Sequence, residues 1–152
     1  MSKAQLLVVI QFILFAVIGA SVLLFSTAKS PTQWMVGGVV TIAGLVIGLW
    51  AISEHGRVNR GGPKAVPTPN PEAELITSGL YQRIRHPIYT GVLMVAFGMT
   101  IWHGHVVTLT ASVLLVGLLT YKSMYEEELL RAQYPQYPTY MKSTGRFLPK
   151  LF

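Results

Sequence analysis

Three stretches of the chain carry no Asp, Glu, Lys or Arg: residues 4–28, 30–53 and 87–121, of 25, 24 and 35 residues. An apolar run of about 18 or more uncharged residues is long enough to cross a lipid bilayer as a helix. Together the three runs take 84 of the 152 residues, and only 12% of the chain is charged, against about 25% in soluble globular domains. That pattern excludes a soluble globule and a disordered tail. The absence of cysteine excludes a disulfide scaffold, thiolate metal sites and a cysteine nucleophile. The expected fold is all-α: one polytopic integral membrane domain over residues 1–152.

The apolar part of the first run, residues 6–25, exceeds the roughly 7–15 residues of a signal-peptide core, and no A-x-A site follows it. It reads as a retained helix. The first two spans fall at about residues 5–25 and 34–52. The third run is too long for one crossing, since 35 helical residues reach about 52 Å against a hydrocarbon core of about 30 Å. Its middle, Trp102-His103-Gly104-His105, is a polar break containing glycine. Two further spans follow, at 88–102 and 106–121, each about 23–24 Å long. Segments that short predict local bilayer thinning or a hairpin that does not fully cross. Between spans two and three a loop runs over 53–87. Pro63, Pro67, Pro69 and Pro71 make its 61–71 portion extended. Within the last segment, 122–152, residues 122–133 read as helix until Pro135 and Pro138 end it. Gly44 and Gly48 form a G-x-x-x-G pair suited to close helix packing within the chain.

Four spans with the N-terminus inside place 11 of the 12 Lys/Arg residues on one face and leave only Lys29 on the other. Both termini are therefore expected in the cytoplasm, at the plasma (inner) membrane if the chain is prokaryotic. Trp34, Trp50, Trp102 and Tyr121 fall at span ends, where an aromatic belt forms. The net charge of +6 is then topological, with attraction to anionic lipid as its second consequence. No soluble basic module is left to bind nucleic acid.

The spans contain no Asp, Glu, Lys or Arg, which argues against proton-coupled transport and ion conduction. Polar density concentrates instead at the cytoplasmic boundary, in Tyr81-Gln-Arg-Ile-Arg85-His86-Pro87-Ile88-Tyr89 and Lys122-Ser-Met-Tyr125-Glu126-Glu127-Glu128. An antiparallel hairpin brings Arg85 and His86 beside Lys122 and Glu126. Read alone, Arg85-His86-Pro87 is also an ordinary helix start, and three glutamates are also an ordinary solvated face. Lys122 and Glu126 share one helix face at i, i+4. A site with Glu on one wall and Arg or His on the other suits a ligand bearing both an ammonium and a carboxylate. His103 and His105 lack a third ligand nearby and read as a turn, so no metal is expected.

Leu75-Ile-Thr-Ser-Gly79-Leu-Tyr81, Arg85-His86-Pro87-Ile88-Tyr89-Thr-Gly91, Glu126-Glu127-x-x-Leu130-x-x-x-Tyr134, Tyr140 and Arg146-Phe-Leu-Pro149 resemble motifs of the isoprenylcysteine carboxyl methyltransferase and phospholipid methyltransferase superfamily. The resemblance implies an all-helical membrane enzyme that uses S-adenosylmethionine at the cytosolic boundary. Tyr81, His86, Pro87, Ile88 and Tyr89 would lie in the cofactor pocket, closed by the backbone of Glu74, Leu75 and Ile76. Glu126 would bind the cofactor's ammonium, with Arg85 or His86 receiving its carboxylate. Lys122 stands where the eukaryotic carboxyl methyltransferases carry an arginine linked to substrate, and it would position the acceptor. Lysine keeps that charge but lacks the bidentate fork. The acceptor would be a lipophilic molecule, a prenylcysteine-like carboxylate or a phospholipid amine. Two other readings compete: a non-enzymatic four-span transporter or scaffold, and an NADPH-dependent enzyme like the sterol reductases.

Overall fold

The computed structural model describes residues 2–59, 63 and 73–150. Its helices are α1 (Lys3–Leu24), α2 (Pro31–Asn59), α3 (Pro87–His103), α4 (Val106–Gln133) and α5 (Tyr137–Ser143), with a single 3-10 turn at Gly79–Gln82 before α3. Among the described residues there is no β-strand, only one isolated parallel bridge between Ile84 and Gly145.

Local chemistry explains most of the helix ends. Ser2 and Gln5 form a reciprocal capping box at the start of α1. Ser30 and Gln33 exchange the same pair of bonds at the start of α2. Pro87 opens α3, where its missing N–H costs nothing. The expected break between the last two long helices is real and tight. Gly104 ends α3 at φ 71°, and the His105 side chain accepts from the Val107 N–H to cap α4.

One expected boundary moves. The loop expected over 53–87 begins later, because α2 continues to Asn59. The polar residues of that last stretch are anchored: Glu54 takes Arg57 at 2.6 Å and Ser78 at 2.5 Å, and Asn59 takes the Glu74 N–H at 2.7 Å. The fourth apolar segment and the helix expected over 122–133 are continuous, and the helix ends at Gln133 just before Pro135, as expected. Together they form one helix of 28 residues, about 42 Å long. Of the four apolar helices α3, with 17 residues, is the short one. The extended connector expected at 61–71 lies outside the described residues, apart from Pro63.

α1, α2 and α4 are long and apolar enough to cross a membrane, while α3 is apolar but shorter. Their outward faces carry exposed apolar side chains, among them Phe12, Ile13, Val39, Ile42, Leu49, Val113 and Leu114. Small polar groups lie inside, with Thr100 and Ser112 hydrogen-bonded to each other at 2.9 Å. Apolar outside and small polar inside is what a lipid solvent selects.

Helix α2 packs chiefly on α3, and α1 on α4. Glycine sets the first contact. A Cβ added at Gly44 would lie 2.8 Å from the Gly91 carbonyl oxygen, and one at Gly91 would lie 2.7 Å from Gly48 Cα. The expected intramolecular role of the glycine pair is what the structure shows. Helices α1 and α2 stand apart, and an apolar cleft of about 390 Å³ runs between them over α3.

Candidate functional site

The described polar chain outside the helices gathers mainly at the end of the bundle where α1 begins, α2 ends, α3 begins and α4 ends. Residues 83–86 and the C-terminal segment are stitched together by backbone bonds. The Arg85 N–H donates to the Gly145 carbonyl at 2.8 Å, His86 N–H to Arg146 at 3.0 Å, and Gly145 N–H back to Arg83 at 3.0 Å. Thr90 Oγ1 adds a bond to the Phe147 carbonyl at 2.6 Å. The C-terminal segment is thereby laid against the start of α3.

Within this frame the two clusters meet as their spacing predicts. Tyr89 donates its hydroxyl to Glu126 Oε1 at 2.5 Å. His86 lies between two carboxylates, with Nδ1 3.5 Å from Glu126 and Nε2 3.3 Å from Glu127. Its ring stacks parallel to Tyr89, centroids 5.4 Å apart, and the Phe147 ring stands across both at 6.2 and 6.4 Å. Lys122 reaches toward α1. Its Nζ lies 3.0 Å from Gln11 Oε1 and 5.2 Å from the Tyr89 ring centroid.

Arg85 is drawn elsewhere. Its Nε donates to Glu127 Oε1 at 2.9 Å, and its Nη1 is bonded to the carbonyls of Met141 and Thr144. Arg146 binds the same Glu127 carboxylate through Nε at 3.2 Å and Nη2 at 2.8 Å. That carboxylate holds the Arg146 guanidinium's pKa above its ordinary value. Glu127 is therefore the hub that pins residues 141–146 to α4, and Arg85 is committed to it.

The other expected site residues are more dispersed. Tyr81 is buried with Ala51 and Ile76, and its carbonyl accepts the Tyr140 hydroxyl at 2.5 Å. Burial raises the Tyr81 phenol's pKa, with further contributions from Tyr140, Glu54 and Glu126. Pro87 is buried at the first turn of α3. Ile88 packs on the Ala51–Tyr81 cluster and lines the apolar cleft. Glu74 is exposed and its backbone is held by Asn59, while Leu75 is half-buried. No described contact joins Glu74 or Leu75 to Glu126. His103 and His105 lie at the opposite end of the bundle, where the Thr27 hydroxyl donates to the His103 carbonyl at 2.5 Å and His105 stacks on Phe25. Among the described residues no three His, Cys, Asp or Glu side chains form a metal-holding group.

Sequence reasoning missed Glu127 and Gln11 as individuals. Glu127 is indistinguishable from its neighbours in a run of three glutamates. Gln11 left one signal: it is the only Asn or Gln between residues 6 and 28. An amide in the middle of an apolar helix calls for a partner.

The donor set has a definite chemical character. A partly accessible carboxylate, Glu126, meets the edges of the Tyr89 and His86 rings, with the Phe147 ring across both, so that a negative charge and aromatic groups lie together, an arrangement suited to organic cations. The family model described as phospholipid methyltransferase matches residues 32–137, well over half of the chain, with α2 from its second residue and all of α3 and α4. No curated protein sequence matches the chain.

Proposed function

The chain belongs to the phospholipid methyltransferase family, and from that premise we propose that it transfers a methyl group from S-adenosylmethionine to a lipophilic acceptor at the cytosolic boundary of the membrane. The observation that carries the reading is the Glu126 carboxylate, which accepts the Tyr89 hydroxyl and faces His86 Nδ1 at the edge of the stacked His86 and Tyr89 rings, at the end of an apolar bundle.

The residues present fit the co-substrate. S-adenosylmethionine carries an ammonium and a sulfonium, and its methyl group is already activated toward a nucleophile. Glu126 supplies the acceptor for the ammonium. The faces of Tyr89, His86 and Phe147 favour a nearby positive charge. Arg85 does not take the cofactor carboxylate in this proposal. Its guanidinium holds Glu127 and the carbonyls of Met141 and Thr144, so that it fixes the C-terminal segment as one wall of the site. The two ring nitrogens of His86 likewise face Glu126 and Glu127, so His86 serves the site through Glu126 and is not assigned to the cofactor's own carboxylate.

Methyl transfer from such a donor needs positioning and exclusion of water more than a nucleophile–base pair. The chain supplies both. Thr90, Arg85 and His86 fasten the C-terminal segment over the start of α3, and Phe147 covers the ring pair. Lys122 stands between this polar end and α1, where it can meet the polar end of an acceptor arriving through the bilayer. A prenylcysteine-like carboxylate and a phospholipid amine are the two acceptor forms this reading admits. We place α3 as a fourth crossing beside α1, α2 and α4, with both termini cytoplasmic.

Calorimetry on the full chain purified in detergent tests the reading. Wild type binds S-adenosylmethionine, and Glu126→Ala and His86→Ala each weaken that binding at least about tenfold, the loss of one charge-assisted contact. No binding by wild type, or unchanged binding by both variants, overturns it.

A further inference from the structure

Residues 137–150 carry Lys142, Arg146 and Lys150 and no acidic residue. Arg146 is held by Glu127, but the basic groups around it are not paired. Among the described residues no carboxylate lies within ion-pair distance of Arg83, Arg131, Lys142 or Lys150. All four are exposed, and all four gather round one short stretch of backbone. The Gly145 N–H donates to the Arg83 carbonyl at 3.0 Å, Arg131 Nε to Met141 Sδ at 3.3 Å, and Lys150 Nζ to the Lys142 carbonyl at 2.7 Å. Charge of one sign left without counter-charge makes a surface for an anionic partner.

The same segment carries an apolar side chain at a defined depth. Leu148 is 73% exposed, and among the described residues no other large apolar side chain after Met124 is exposed. Its height is fixed by its neighbour. The Phe147 carbonyl accepts the Thr90 hydroxyl about 4.5 Å inside the start of α3, and the Phe147 ring packs on the buried cluster of Ile18, Ala96, Leu115 and Leu119. Glycine permits the turn that brings it there, since a Cβ at Gly145 would collide with the Leu148 carbonyl oxygen. Phe147 thus faces the bundle and Leu148 faces outward, level with the apolar part of α3. The lysines lie further out. Helix α5 is tied to Tyr81 and Arg85, before α3 begins, and Lys150 is bonded to its end. An apolar side chain at hydrocarbon level with cations above it is the pattern of an interfacial anchor.

We propose that residues 141–150 dock on an anionic bilayer surface, with Leu148 in the apolar layer and Arg83, Arg131, Lys142 and Lys150 among the headgroups, and that this docking holds Phe147 over the His86 and Tyr89 rings. The docking surface is independent of the methyltransferase reading; only its consequence for the co-substrate rests on that reading. An acidic protein would meet the same charges, but it would give Leu148 no reason to stand exposed at the height of the apolar helix faces.

The test uses the full chain in nanodiscs of phosphatidylcholine alone or with about 30% phosphatidylglycerol, whose surface attracts basic residues. Leu148→Cys, in a chain with no other cysteine, carries an apolar, polarity-sensitive fluorophore. In anionic discs its emission shifts to the blue and is quenched by a lipid-borne nitroxide. Its seated-to-free ratio exceeds that in neutral discs at least about fivefold, the effect of one lysine near an anionic surface. Lys142→Gln combined with Lys150→Gln removes that excess, and so does salt at about 1 M. A label quenched by aqueous iodide alone, or a seating ratio equal in the two lipids, overturns the docking surface. So does a blue shift produced by soluble polyglutamate and not by anionic discs, which identifies an acidic protein instead.

S-adenosylmethionine calorimetry on the same preparations reads the hold on Phe147. The double lysine variant binds the co-substrate about fivefold more weakly than wild type in anionic discs, and equally in non-ionic detergent. Loss of positive charge by itself favours a cationic ligand, so a weaker affinity reports the loosened Phe147 and not the local potential. Equal or tighter binding by the variant in anionic discs overturns that hold. If the label seats in anionic discs but wild type binds no S-adenosylmethionine, the methyltransferase reading falls and the docking surface stands.

Discussion

Glu126 and Glu127 are consecutive, and a helix turns about 100° between them. That rotation gives two identical side chains different work. Glu127, 2% exposed, is saturated by Arg85 and Arg146, with His86 beside it. Glu126 faces Tyr89 and retains more exposure. Removing one member of a buried ion-pair network costs about 3–5 kcal/mol, because the partners left behind are uncompensated. Glu127→Ala should therefore lower the Tm of the detergent-solubilised chain by about 10 °C. Glu126→Gln keeps the shape and one acceptor oxygen, so it should shift Tm by less than about 3 °C while S-adenosylmethionine binding collapses. Thermal unfolding and calorimetry on the pair check both halves. Equal Tm losses in the two variants would contradict the division of labour. The pairing of Arg85-His86 with Lys122-Glu126 was legible from charge placement and hairpin topology. The split between adjacent glutamates was not, because it depends on side-chain direction and on Arg146, which arrives from a segment whose path sequence does not specify.

At the scale of elements, the long helices were legible because a 3.6-residue helix that must bury its backbone in lipid leaves long uncharged runs. Their ends were less so. Helix α2 continues past Ser53 to Asn59 because Glu54 finds Arg57 and Ser78 and Asn59 finds the Glu74 backbone, and hydropathy alone cannot register those partners. The contact between α2 and α3 makes a sharper prediction. Gly91→Leu inserts a side chain where even a Cβ would lie 2.7 Å from Gly44 and Gly48 backbone atoms, whereas Gly117 has nothing within 4 Å of an added Cβ. Gly91→Leu should abolish a monodisperse folded preparation or cost several kcal/mol, and Gly117→Ala should unfold within about 2 °C of wild type. Size-exclusion profiles and Tm distinguish them. Helix α5 is tied to the 3-10 turn by the Tyr140 hydroxyl on the Tyr81 carbonyl. Burial pushes the Tyr140 phenol up to about 12, against an ordinary value of about 10. The folded state thus keeps a proton that the unfolded chain releases. The stabilisation is complete below about pH 10 and is lost as pH rises through about 12. The Tm gap between wild type and Tyr140→Phe should accordingly be constant from pH 7 to about pH 9.5 and shrink above about pH 10. A gap that widens with alkali refutes that assignment.

For the whole molecule, charge asymmetry and structure bear on the same question by independent routes. The basic residues are distributed so that Lys29 alone falls on the far side of a four-span arrangement. In the structure the two ends of the bundle differ in kind. At one end Lys3 lies over the rings of Tyr121 and Tyr125, and the same end of the bundle carries the Glu54, Glu126 and Glu127 networks. At the other Lys29 lies 4.4 Å from the Trp102 ring centroid, with Thr27 bonded to His103. If α3 crosses fully, both termini share one face and the proposed site opens to the compartment that holds the water-soluble co-substrate. At about 25 Å, α3 is somewhat shorter than a typical hydrocarbon core. The tight αL turn at Gly104 and the indole rings of Trp34 and Trp102 then fall at the interface, where aromatic residues lie and local thinning absorbs the mismatch. Because the chain has no cysteine, single substitutions report on sidedness without background. Ser2→Cys and Ser143→Cys should react with a membrane-impermeant maleimide only in inside-out vesicles, and Ser26→Cys only in right-side-out vesicles. Labelling of Ser2→Cys and Ser143→Cys from opposite sides would mean an odd number of crossings. It would also put residues 143–147 across the membrane from the start of α1, which is incompatible with one bundle end carrying both Gln11–Lys122 and the Glu126 site.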